Sequence, residues 1–271
     1  MLRGFRHRLL RAAAGRLRTK TASMRNNAPL VSFTFDDVPD SAYLNGARIL
    51  EDFGSRGTFY IAGGTCGKQE QHWRVILPEQ VAALHAHGHE IGAHTFSHVN
   101  VQVLSARGMR TEIRKNEERL RQLCGDIRIE NFAYPFGDLS LPRKLQLQRH
   151  YASCRGIYEG INAGRIDLGL LKVEPLYGRV ADADPLASLL DNVVRQNGWL
   201  IFYTHDVAEA PSHIGCTPAL LEAALRLVQE LGIEVVTVGE GLKRIGRAPK
   251  VASTAAGFDR LEANSAISSR F

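Results

Sequence analysis

Short apolar runs that end in polar residues, separated by stretches of helical periodicity, constrain this chain more than any other feature. Residues 30–36, 58–61, 90–94, 131–134, 151–155, 199–205 and 233–238 read as strands. Helical patterns lie between them. Residues 43–53 place Ala47, Leu50 and Phe53 on one face, and Pro78 opens a second helix that stops before Gly88. Ser105 caps a long helix carrying Met109, Ile113, Leu120 and Leu123. Asp184-Pro185 and Thr217-Pro218 open two more, closed by Gly198 and Gly232. Strands that are apolar along their whole length have no wet face, so they belong to a parallel sheet covered on both sides by helices.

Polar groups collect where those runs end: Asp36, Asp37, His94 and His205. A β/α barrel gathers its functional side chains at the C-terminal ends of its strands, and an open doubly wound sheet does so as well. The chain carries no Gly-x-Gly-x-x-Gly and no phosphate-binding loop, which weakens a nucleotide reading. At 271 residues, one barrel accounts for the chain.

Charge is unevenly placed. Residues 1–28 hold eight basic side chains and no acid, which leaves 26 basic against 28 acidic residues in the rest. The expectation is a basic, disordered leader over 1–28, a folded domain over 29–246 and a loose Ala- and Ser-rich tail over 247–271. Phe5, Leu9, Leu10 and Leu17 among the arginines allow weak contact with a membrane surface. Nucleic acid is not expected, because no aromatic stacking platform accompanies the charge. The leader lacks the continuous apolar core of a secretory signal, so a cytoplasmic protein, peripheral at the inner membrane face at most, is expected. Met24 is an alternative start. The four cysteines are far apart and read as reduced, structural thiols.

The chemistry lies in two short motifs. His94 and His98 are four residues apart, a spacing that puts two rings on one face of a helical turn and within reach of one ion. Asp36 and Asp37 are adjacent at the end of an apolar strand, where two carboxylates repel unless a cation lies nearby. An aspartate and two imidazoles can hold one divalent metal with positions left open, and the second aspartate is then free to take a proton from water. That combination points to a hydrolase.

These motifs resemble those of the polysaccharide deacetylases of the NodB-homology type, carbohydrate esterase family 4. Thr34 to Asp37 matches the Thr-Phe-Asp-Asp motif, His94 to His98 the His-Ser/Thr-x-x-His motif, Tyr134-Pro135-Phe136-Gly137 the third motif, and Phe202 to Asp206 the closing one. The resemblance covers most of residues 30–240. It implies a distorted (β/α) barrel with about seven strands. It also implies that Asp37, His94 and His98 are metal ligands, Asp36 the general base and His205 the general acid. The backbone N–H of Phe136 would donate to the oxyanion, and Tyr134 and Pro135 would line the groove beside the acetyl group. The metal would be zinc, with cobalt, manganese or nickel compatible with the same ligands.

The chain departs from the family pattern in two places. The third motif often has an arginine before its core, where this chain has Ala133, and Arg155 on the following strand is the candidate substitute. The fourth motif, which supplies an acid to orient the catalytic histidine, has no clear match. Glu174 and Asp182 are candidates for that role. The implied activity is removal of N-acetyl groups from the amino sugars of an oligo- or polysaccharide, or of a lipid-linked glycan precursor. An O-acetyl ester or cyclic amide hydrolase, or a carbohydrate-binding pseudoenzyme, are the alternatives.

Overall fold

The computed structural model describes residues 11–178 and 183–246. Seven parallel strands close into a barrel: β2 (Leu30–Asp36), β3 (Thr58–Ile61), β4 (Glu90–Ala93), β5 (Asn131–Ala133), β6 (Ser153–Glu159), β8 (Leu171–Pro175) and β9 (Trp199–Thr204). Closure is made by β9 against β2, in register from Leu30↔Trp199 to Phe35↔Thr204. The predicted last strand is shorter than expected. Only β10 (Glu234–Val235) pairs, with Leu30 and Val31, on the edge of β2 that β3 takes over higher up. Thr237 then caps a helix, α8 (Val238–Arg244), which the apolar run over 233–238 had masked.

Helices cover the outside. The stretch over 42–52 begins as a π-helical turn (Ala42–Ala47) and continues as α2 (Arg48–Asp52). Then come α3 (Pro78–Ala86), α4 (Ala106–Cys124), α5 (Leu141–His150), α6 (Ala183–Arg195) and α7 (Pro218–Glu230). The Ser105 and Thr217 side chains accept from Gly108 and Leu220, as their cap positions require. All seven residues of β2 and all six of β9 are buried, because barrel interior and helix layer claim alternate side chains. Outside the barrel wall Phe35 stacks on Phe59 at 4.6 Å. Inside, the Trp199 indole donates to Ser32.

Residues 11–28 correct the expectation of a disordered leader. The crossover from β6 to β8 carries no helix, only the short β7 (Arg165–Asp167), so that side of the barrel lacks its cover. The N-terminal segment supplies it. Residues 11–16 are helical (α1), and β1 (Thr21–Ser23) pairs antiparallel with β7. Ala14 is fully buried, and Lys144, itself 0% exposed, donates to the carbonyls of Ala14 and Leu17 and pairs with Asp167 at 2.7 Å. The Lys20 ammonium donates to the carbonyls of Gln148, Tyr151 and Ala152, where a cation favourably meets the C-terminal end of α5. Among the basic residues of the leader, Lys20 and Arg18 thus donate to backbone carbonyls and Arg11 lies 3.8 Å from Asp138. The tail over 247–271 lies outside the described residues, and no helix among them is long and apolar enough to cross a membrane.

Candidate metal centre

Asp37, His94 and His98 meet at the C-terminal mouth of the barrel, each offering a ligand atom within 4.8 Å of the others. The His98 Nε2 lies 2.9 Å and the His94 Nε2 3.3 Å from one oxygen of Asp37. The His94–His98 segment is not the helical turn that its spacing suggested. It is a loop in which Thr95 (φ 60°) and His98 (φ 50°) are left-handed. Two features hold it there. Glu112 on α4 accepts the N–H groups of Phe96 and Ser97 at 2.9 and 2.8 Å, and Val99 donates to the Thr95 hydroxyl. Sequence reasoning passed over Glu112, since an acid on a polar helix carries no mark of its partner.

Backbone strain is concentrated here. Asp37, Val38, Thr95, His98 and Phe136 are five of the six non-glycine residues with positive φ among those described. Such conformations persist only where the surroundings over-determine them, and they cluster at functional sites.

The donor set fits a metal. The Nδ1 of His94 lies 2.9 Å from the Ala133 carbonyl, an acceptor, so Nδ1 carries the proton. A neutral His94 then aims the lone pair of Nε2 at a carboxylate oxygen that is itself an acceptor. A proton on Nε2 or a cation between the two groups resolves that conflict, and a backbone carbonyl fixing the far nitrogen is the usual support of a metal-bound imidazole. Burial alone would raise the Asp37 carboxyl, but the two imidazoles beside it hold it well below the usual carboxylate range. Burial alone would lower His94, but Asp37 and the nearby Asp36 charge raise it. Each group favours its charged form because of the other, as an ion pair does; a cation held between them would instead take His94 as a neutral ligand.

Asp36 turns the other way. Its carboxylate meets the guanidinium of Arg155 inside the barrel, with Arg155 1% and Asp36 6% exposed. Arg155 stacks on the ring of Tyr60 at 4.4 Å, with Tyr203 at 5.7 Å. Strand alternation explains the arrangement. Ala133 and Arg155 are directly paired neighbours on β5 and β6, so an arginine on β6 reaches the space that Ala133 leaves open.

His205 follows β9. Its Nδ1 lies 3.1 Å from the carbonyl of Ile214, which leaves Nε2 outside that bond. Burial lowers its affinity for a proton, against the pull of Asp36 and Asp37. Among the described residues that carbonyl is the hydrogen-bond partner of this ring; of the two acids considered for the role, Glu174 lies on β8 and Asp182 is outside the described residues. Trp73 stacks on His205 at 6.2 Å with 29° between the planes. It helps to line an open groove of about 260 Å³ with Asp37, His98, His72 and Glu70.

The third motif divides. Phe136 is 57% exposed, with its ring 4.6 Å from that of His98. Gly137 follows at φ +61°, and a Cβ there would fall 2.3 Å from Ile157, so only glycine lets the turn close. Tyr134 does not line the groove. It is 2% exposed, packs edge-on against Phe132 and donates its hydroxyl to the Gly169 carbonyl. The barrel wall alternates, so with Ala133 inward Tyr134 points outward. Pro135 is buried beneath the turn that presents Phe136.

A sequence profile of the polysaccharide deacetylase family matches residues 23–151. The chitin deacetylase of Colletotrichum lindemuthianum is 26% identical over 228 residues, covering 82% of this chain and 81% of that protein. A peptidoglycan-N-acetylglucosamine deacetylase of Bacillus cereus is 32% identical over 102 residues, 36% of this chain and 34% of that protein. Among solved structures, the Colletotrichum chitin deacetylase superposes with a TM-score of 0.57 at 21% identity, covering 83% and 92% of the two chains. A family 4 carbohydrate esterase from Bacillus anthracis gives 0.55 at 16% identity, covering 82% and 86%. These superpositions bear on the fold.

Proposed function

On the match of residues 23–151 to the polysaccharide deacetylase family and the likeness to a chitin deacetylase over 82% of the chain, we propose that this protein is a metal-dependent hydrolase removing N-acetyl groups from the amino sugars of an oligo- or polysaccharide. The observation that carries this reading is the convergence at one barrel mouth of Asp37, His94 and His98 with the Asp36–Arg155 pair and the ring of His205.

Asp37, His94 and His98 would hold the metal, zinc by ligand type, with cobalt, manganese and nickel compatible. When bound, such an ion polarises the acetyl carbonyl and acidifies water. The chain's own residues do the rest. Asp36, held by Arg155, accepts the proton of the attacking water. The Phe136 N–H, set by its left-handed backbone, donates to the oxygen of the tetrahedral carbon. His205 delivers a proton from Nε2 to the departing amine while Ile214 holds Nδ1. Trp73 offers an aromatic face beside that histidine for a sugar ring.

The test is acetate release from acetylated chitooligosaccharides, by protein loaded with zinc or cobalt and by protein stripped with a chelator. The expected result is release that chelation abolishes and metal restores. Glycan binding without acetate release from any acetylated sugar, in metal-loaded protein, would overturn the proposal.

A further inference from the structure

A second cavity, of about 310 Å³, lies beneath the N-terminal segment and shares no lining residue with the groove at Asp37, Trp73 and His98. Arg16 and Arg18 line it from the segment, and Arg165 and Lys172 from β7 and β8. Tyr158 and Ile161 add apolar surface. The charge is not compensated from within. Asp167 is the one acid in the lining, and both its oxygens are engaged, one by the N–H groups of Lys20 and Gly169, the other by Lys144 and the N–H of Thr19. Among the described residues none of the four cations pairs with an acid. The polar contacts they do make are the bond from Arg18 to the Arg165 carbonyl and the bond from Arg165 to the Thr21 hydroxyl.

We propose that this cleft binds a phosphate-type oxyanion. The four cations are solvent-exposed, so water and salt moderate their repulsion, but a multivalent anion among them balances charge that a single carboxylate would leave mostly unbalanced. Arginine forks match the tetrahedral oxygens of phosphate in two-point contacts, which favours phosphate over a diffuse acidic surface. The volume suits a phosphate or pyrophosphate group with the beginning of whatever it esterifies. The cleft exists only because the segment over 11–23 is laid on the helix-free side of the barrel, which gives that segment a role beyond cover.

The ligand could be a soluble phosphoester or a lipid headgroup, and two measurements separate these sources. Binding of inorganic pyrophosphate to the full chain is followed by titration calorimetry. Cosedimentation is measured with vesicles of phosphatidylcholine, with and without phosphatidylglycerol. Each is repeated for Arg16→Ala/Arg18→Ala and for His98→Ala, the latter reporting on any anion held at the metal centre. The expected result is saturable pyrophosphate binding that salt weakens, that the double variant weakens about tenfold or more, and that His98→Ala retains. Vesicle binding that needs phosphatidylglycerol, falls in the double variant and is competed by pyrophosphate would assign the headgroup; its absence beside pyrophosphate binding would assign a soluble phosphoester. Absence of both bindings, indifference of both to the double variant, or loss of pyrophosphate binding in His98→Ala would overturn the proposal.

Discussion

Arg155 on β6 and Asp36 on β2 pair across the interior of the barrel, from strands 119 residues apart in sequence. The pair joins the base of the proposed reaction to the opposite wall. Lysine at 155 keeps the charge and loses the planar fork, so Arg155→Lys is expected to lower kcat about tenfold with little change in fold. Arg155→Met leaves a buried carboxylate unpaired and is expected to cost ~3–5 kcal/mol of stability. Denaturant unfolding and steady-state kinetics on both variants check this, and an Arg155→Met protein as active as wild type would remove the pair from the mechanism.

Asp36 and His94 should separate chemistry from metal retention. Asp36→Asn is expected to lose on the order of 10²–10⁴ in kcat while metal content stays near one per chain. His94→Ala is expected to lose the metal itself. Elemental analysis beside the acetate assay distinguishes them, and full activity in Asp36→Asn would exclude it as the base.

Trp73 stacks on His205 from the loop before α3 and helps to line the groove. Removing the indole takes away an aromatic face worth ~0.5–1.5 kcal/mol. Trp73→Ala is therefore expected to raise KM several-fold for oligosaccharides, with less effect on kcat. A variant with unchanged KM would mean that the sugar does not rest on this ring.

The segment over 11–23 should matter for stability whatever the start of translation. A chain begun at Met24 lacks Ala14, the carbonyls that Lys144 bonds, Lys20 at the end of α5 and strand β1. The Lys144–Asp167 pair would then face water on one side. Its thermal midpoint is expected to be clearly lower than that of the full chain, as differential scanning fluorimetry can measure. Equal midpoints would make the segment dispensable.

A pH dependence of stability arises away from the proposed site. Burial pushes His89 below its ordinary value of 6.5, against the pull of Glu51 3.0 Å away, and its Nδ1 accepts the N–H of Gly57. A histidine whose folded value is depressed binds its proton more readily unfolded. Folding stability therefore falls as pH drops below 6.5, and the fall ends once the folded ring protonates too. Burial alone would raise Glu51, but His89 and His87 hold it below its usual value, so its share is lost at lower pH still. The thermal midpoint should fall between about pH 7.5 and about pH 5 more steeply in wild type than in His89→Gln. Parallel slopes would exclude His89 as the source.

The fold class was legible in the sequence, and so were the three residues, Asp37, His94 and His98, that the fold brings close enough to share a cation. Apolar runs without alternation specify strands covered on two sides; the family resemblance, not the runs alone, pointed to a barrel of about seven strands, and one of its strands, β8, was not among the runs. Asp36, Asp37, His94 and His205 stood out because polar residues ending buried strands are unusual wherever they occur. The helix α5 and strands β7 and β8 went unread. Their apolar positions are few, and a buried lysine at 144 looks polar until its acceptors are known.

What the sequence by itself determined is the kind of barrel and the residues able to share a cation. The tertiary structure alone decided their partners. Arg155 reaches Asp36 because closure brings β6 opposite β2, and Tyr134 leaves the groove because the alternation of β5 turns it outward. His205 is steadied by the Ile214 carbonyl, a group that every residue carries and no pattern announces. Residues 11–23 are laid on the barrel because one crossover lacks a helix and exposed surface must be covered. Each of these depends on contacts between distant segments, which local periodicity does not encode.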